Sequence, residues 1–138
     1  MPDASQNDRK MAPRKLRVLV VDDNQTLAET LGWMVEAIGH VVQVVHNGID
    51  ALPAARSFRP DVVLLDIGLS GMNGYEICQK MRAEPEFKNC IIAAQTGWDN
   101  PEDHERSKAA GFDHHFVKPV PMDILEKLFL SLALPVSD

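Results

Sequence analysis

The sequence predicts an α/β domain in which a parallel sheet carries helices on both faces. Short runs of Val, Leu and Ile alternate five times with amphipathic stretches of helical spacing. The apolar runs are nearly continuous, the mark of strands buried on both sides. The length, 138 residues with 45% apolar side chains, suits one hydrophobic core and is too short for two.

Residues 1–15 are polar, carry Arg9, Lys10, Arg14 and Lys15 with two prolines, and read as a flexible lead-in; the folded domain is expected over 16–136. Residues 16–21 (LRVLVV) form the first strand. Leu27, Leu31, Met34, Val35 and Ile38 then recur at helical spacing, with Gly39 placed to end the helix. Those five residues are expected to face the sheet, which turns Trp33 away from it by more than a quarter turn. Residues 41–45 (VVQVV) form the second strand and 61–65, launched by Pro60, the third. A helix expected over 49–58 contains Pro53, so either it starts late, with the proline in its first turn, or it kinks there. Residues 75–82 suit a helix and 90–94 a strand. Asn100-Pro101-Glu102-Asp103 reads as an N-cap, a first-turn proline and acids at the positive end of a helix that stops at Gly111. Residues 115–117 make a short last strand, and Pro121 opens a final helix with Ile124, Leu125, Leu128, Phe129 and Leu132 on one face.

Composition removes several functional classes. A net charge of −6 gives no basic face for nucleic acid. No apolar run reaches the length of a membrane span and the first fifteen residues lack a signal core, so a cytoplasmic location follows by default. The five histidines have no zinc spacing, and Cys78 and Cys90 are expected as reduced, packed thiols.

Ligands of open parallel sheets bind beyond the carboxyl ends of the strands. The polar residues there are Asp22 and Asp23 after the first strand, Asp66 after the third, Thr96 after the fourth and Lys118 after the fifth. Taken singly, an Asp pair is a loop or cap, Thr96 a loop hydroxyl, and Lys-Pro a turn. Together they converge on one sheet edge. Three clustered carboxylates raise one another's proton affinity unless a cation sits between them. Oxygen ligands that only partly enclose an ion suit Mg²⁺, which keeps waters and leaves room for phosphate oxygens. A carboxylate also serves as a nucleophile, forming an acyl phosphate whose charge the ammonium and hydroxyl offset.

The stretches Val20-Val21-Asp22-Asp23-Asn24, Asp61-Val62-Val63-Leu64-Leu65-Asp66, Gly71-Met72-Asn73-Gly74, Thr96-Gly97 and Lys118-Pro119 resemble the receiver domains of two-component response regulators. The resemblance covers about residues 16–134. It implies a flavodoxin-like, doubly wound sheet of strand order 2-1-3-4-5. It implies Asp66 as phospho-acceptor, Mg²⁺ bound by Asp23, Asp66 and the carbonyl of Gly68, and Asp22 holding metal-bound water. Thr96 would hydrogen-bond the phosphoryl group, Lys118 would pair with it, and Lys118-Pro119 would be a cis peptide. The donor would be a phosphohistidine on a sensor histidine kinase or phosphotransfer protein. The chain would be an acceptor that catalyses its own phosphorylation and slow dephosphorylation, not an enzyme with a separate substrate.

Three departures from the pattern involve four positions. His115 stands where an aromatic residue commonly turns inward on phosphorylation, Ser70 replaces a proline before Gly71, and Gly68 and Trp98 occupy the variable positions beside the acceptor. Residues 110–119 also resemble receivers attached to hybrid histidine kinases, so both a stand-alone regulator and a domain of a larger protein stay open. With few residues after Leu134, the signal is expected to leave through contact with a downstream protein; a homodimer is left open. Receivers commonly meet their kinase through the first helix, which makes Trp33 a candidate contact. Two competing readings are weaker. A hydrolase of the haloacid dehalogenase kind wants a second acid two residues after the nucleophile, where Gly68 stands, and a docking-only receiver has no need of the intact acids, Thr96 and Lys118.

Overall fold

The computed structural model describes residues 14–69, 72–97 and 100–133. The expectations for residues 1–13, Ser70, Gly71, Trp98 and 134–136 lie outside the described residues. Strands β1 (Arg17–Val21), β2 (Val41–Val45), β3 (Val62–Asp66), β4 (Ile91–Thr96) and β5 (His114–Val117) alternate with helices α1 (Gln25–Ile38), α2 (Ala51–Phe58), α3 (Gly74–Arg82), α4 (Pro101–Ala110) and α5 (Met122–Ala133). A short 3₁₀ turn, Pro85–Phe87, precedes β4. All pairings are parallel and the order is β2-β1-β3-β4-β5, the doubly wound order that the resemblance implied.

Successive strand residues point to opposite faces, and this alternation makes two cores from one sheet. Val18, Val20, Val62, Leu64 and Ala93 pack with α1 and α5; Leu19, Val21, Val63, Leu65, Ile92 and Ala94 pack with α2, α3 and α4. Burial on both sides is why β3 is inaccessible along its whole length.

The helix signals act largely as read. Asn24, Asn73 and Asn100 accept hydrogen bonds from backbone N–H groups of the first turns of α1, α3 and α4, while Gly39 and Gly111 end α1 and α4 at φ 111° and 108°. The Pro53 conflict resolves as a late start: α2 begins at Ala51, so the proline lies where N–H groups have no intrahelical partner in any case. The expected inner face of α1 needs correction. Leu31 and Val35 are buried, but Leu27 is 39% exposed, and Ala28 and Gly32 take the sheet-facing places. Small residues let the helix approach closely; a Cβ on Gly32 would lie 3.2 Å from Val44 Cγ2. Trp33 is exposed, as its helical phase requires. Cys78 and Cys90 are free and buried, and burial pushes their thiols up to about 11 and about 12, keeping both protonated.

His40, just after α1, accepts the Leu16 N–H through Nδ1 at 3.0 Å and stands edge-on to Phe129. Burial holds its pKa below the ordinary 6.5, opposed in part by the charge of Asp61. A value lower in the folded than in the unfolded chain gives stability present above pH 6.5 and lost as pH falls through the folded value. Thermal melts between pH 5 and pH 8 are therefore expected to show a slope that flattens in His40→Gln, which retains an acceptor but does not titrate. An unchanged slope would remove His40 as its source.

Candidate functional site

The four strand ends bring Asp22, Asp23, Asp66, Thr96 and Lys118 to one edge. Asp66 closes β3, Thr96 closes β4, and Lys118 follows β5, where its N–H donates to the Thr96 carbonyl at 2.7 Å. Asp22 leaves β1 with its N–H on the Val45 carbonyl, so the paired strands set where the first acid emerges. Its Oδ1 accepts the Asn24 N–H at 2.9 Å, while Asn24 itself caps α1. Backbone ladder, turn and helix cap together hold one carboxylate.

Asp22 and Asp66 are 2% and 5% exposed, whereas Asp23 is open to solvent. One carboxylate oxygen of each acid lies within 4.8 Å of the others. Lys118 Nζ bridges the two buried acids, at 2.8 Å from Asp22 Oδ2 and 3.2 Å from Asp66 Oδ2. Asp66 Oδ1 accepts the Gly68 N–H at 3.1 Å. Burial, then the Asp22 charge, raises the Asp66 pKa; Lys118 and the Gly68 N–H only partly offset them. Burial alone would lower the Lys118 pKa, but its hydrogen bond to Asp22 and the charges of both acids leave it raised, so the ammonium persists at neutral pH. One ammonium thus faces three carboxylates. The donor set is hard oxygen with one open side and net negative charge, which fits a hydrated Mg²⁺.

The segment after Asp66 is fixed by a close approach. Gly74 N–H donates to the Ile67 carbonyl, and a Cβ at Gly74 would sit 2.5 Å from the Asp66 carbonyl oxygen. Only glycine lets the start of α3 pass so near the end of β3. Lys118-Pro119 is cis. His115 is half-buried, its Nδ1 2.8 Å from Ser107 Oγ and its ring stacked on His104 at 3.9 Å, so it is engaged with α4.

The sequence reading missed Gln95, the polar residue of β4 that precedes Thr96, 2% exposed. A polar side chain inside an otherwise apolar strand was the available signal.

The model of the response regulator receiver domain matches residues 18–129, most of the described sheet and helices. The chain belongs to the receiver family. Receiver domains take phosphoryl groups from histidine kinases and act on downstream targets. Among the relatives, the DNA-binding response regulator MtrA of Mycobacterium tuberculosis is 37% identical over 109 residues, 79% of this chain but 46% of that protein. The chain therefore spans about half the length of such relatives. Protein PilH of Pseudomonas aeruginosa is 34% identical over 111 residues, 80% of this chain and 92% of PilH. The receiver domain of sensor histidine kinase PA1611 from Pseudomonas aeruginosa superposes with a TM-score of 0.76 and 27% identity, covering 84% of this chain and 95% of that domain; a magnesium ion is coordinated in its active-site cleft.

Proposed function

We propose that this receiver, spanning residues 16–136, accepts a phosphoryl group on Asp66 from a phosphohistidine and signals by protein contact. The bridging of Asp22 and Asp66 by Lys118 carries the reading. It places a buried, electron-rich carboxylate beside a cation able to turn toward a phosphoryl group. An Asp66 carboxylate oxygen attacks phosphorus, the N–P bond of the donor breaks, and its electron pair stays on the imidazole. An acyl phosphate remains on Asp66. Asp22, Asp23, Asp66 and the carbonyl of Gly68 would hold Mg²⁺, directly or through its water, which supplies charge neutralisation for the phosphoryl oxygens. Lys118 pairs with one of those oxygens and the Thr96 hydroxyl donates to another. On this reading the chain catalyses its own phosphorylation and slow hydrolysis.

Protein contact is the output proposed for this receiver, which matches 92% of PilH and 46% of MtrA. Exposed Trp33 on α1 is the proposed place of contact with the kinase or phosphotransfer protein. A cytoplasmic location accords with such a donor and with two free thiols; among the described residues no helix is long and apolar enough to cross a membrane. Acetyl phosphate with Mg²⁺ is expected to add one phosphoryl group by intact-mass measurement. No addition, with Mg²⁺ saturating, would refute the assignment.

A further inference from the structure

Gln95 is a buried amide that the proposed chemistry does not use. It stands on the face of β4 opposite Ala94, beneath α1 and α5, while its carbonyl takes the Ile67 N–H at 3.0 Å and so joins the acceptor strand. The side chain lines a cavity of about 50 Å³ together with Asp22, Thr30, Met34, Lys118 and Pro119. Its Nε2 has no hydrogen-bond partner among the described residues, although Gln95 is 2% exposed. Leaving a buried donor unpaired is unfavourable by more than most hydrogen bonds contribute. Lys118 cannot relieve it, because an ammonium only donates. Asp22 already accepts from Asn24 and from Lys118. A cavity needs only about 10–15 Å³ of probe-occupied space and a few polar partners to hold a water. This one exceeds that space; apolar side chains such as Leu27, Leu31 and Val120 make up most of its lining, and Gln95, Asp22, Lys118 and Thr30 supply its polar groups. In the opposite amide orientation an acceptor would take that place, and the Lys118 ammonium or a water would supply its donor.

We infer that Gln95 is a positioning residue of the acid pocket, holding ordered water behind Lys118 and thereby fixing the ammonium between Asp22 and Asp66. Asp22 and Asp66 take two of the three ammonium donors, and the water takes the third. Thr30 lines the cavity from α1, so the same water links that helix to the acceptor site. The part concerning rate rests on Asp66 as acceptor; the part concerning Lys118 does not.

The test compares wild type, Gln95→Met and Thr30→Val, the last an exposed position whose change spares the core. In metal-free, unphosphorylated protein, the wild-type Gln95 side-chain amide is expected to show cross-peaks to a long-lived water. The Lys118 ¹⁵Nζ signal is expected to shift and broaden in both variants, a change that loss of packing alone would not produce. With acetyl phosphate and Mg²⁺, Gln95→Met is expected to reach the wild-type extent of labelling about three- to tenfold more slowly, the factor one hydrogen bond is worth. Thr30→Val is expected to slow in the same sense, and it answers the question should Gln95→Met not fold. Wild-type rates with an unmoved Lys118 signal in the folded variants would overturn the inference. Absence of labelling in the wild type would count against the Asp66 reading alone, because the spectra judge Gln95 independently.

Discussion

Asp66→Asn is expected to take up no phosphoryl group and, in metal-free buffer at pH 7, to melt higher than the wild type. The two outcomes have one cause. Asp66 is buried beside buried Asp22, and its raised pKa records that the folded chain would rather hold a proton there. A carboxyl with a folded value above its unfolded one favours folding at low pH and loses that contribution as pH rises through the folded value. At neutral pH the ionised group therefore works against the fold. An amide of the same shape removes the charge and, with it, the proposed nucleophile. Relief of about 1 kcal/mol corresponds to about 4 °C in a domain of this size. Mg²⁺ is expected to raise the wild-type melting temperature by mass action, about 2.7 kcal/mol at a hundred times its dissociation constant, and Asp23→Asn or Asp66→Asn to abolish most of that rise. Calorimetry with and without Mg²⁺ checks both. A wild type whose melting ignores Mg²⁺, or an Asp66→Asn that melts lower, would show that the three acids do not crowd one another.

The acid pocket was legible because its chemistry is tied to strand ends, and strand ends are announced by where apolar runs stop. Asp22, Asp66, Thr96 and Lys118 each follow such a run, and a parallel sheet brings those points to one edge. Helix caps were legible for a similar reason: Asn100, Pro101 and Gly111 act through backbone geometry within a few residues. The strand order was not, since alternation of elements is the same for several windings; it came from the family resemblance. The inner face of α1 was misread at Leu27 because hydrophobicity was given weight over size. Ala28 and Gly32 win the contact with β1 and β2 by allowing close approach, which leaves Leu27 at the rim. Long-range polar partners escaped altogether. Nothing local links His40 to Leu16 or Arg82 to Asp113, and these pairings exist only once the sheet has formed.

Arg82 is expected to be the surface-reaching residue whose loss destabilises the fold most. It ends α3, and its guanidinium donates to four acceptors on two other segments, 87–90 and 111–113. Nε–H meets the Gly111 carbonyl at 2.9 Å, Nη1 the carbonyls of Phe87 and Cys90 at 3.0 and 2.7 Å, and Nη2 meets Asp113 Oδ2 at 2.6 Å. Asp113 Oδ2 in turn accepts the Ile92 N–H at 2.9 Å, at the start of β4. One side chain thus closes the 3₁₀ turn, the end of α4 and the edge between β4 and β5. The planar fork suits this task, and lysine cannot reproduce it. The side chain is 22% exposed and Asp113 38%, so water can reach part of what would be left behind. Breaking a fully buried pair costs about 3–5 kcal/mol, and the partial exposure sets Arg82→Leu near the lower end of that range. The expected drop in melting temperature is then about 10–15 °C. Arg82→Lys is expected to recover less than half of it. Arg56 provides the contrast: its bidentate pair with Glu84 is as short, at 2.7 Å, but the Arg56 side chain is 52% exposed. An exposed, solvent-screened pair of that kind contributes little, so Arg56→Ala should leave the melting temperature nearly unchanged. If Arg82→Leu and Arg56→Ala proved equally mild in thermal and urea melts, the carbonyl contacts of Arg82 would have no energetic weight, and the closure of β4 and β5 would rest on their backbone ladder and on core packing.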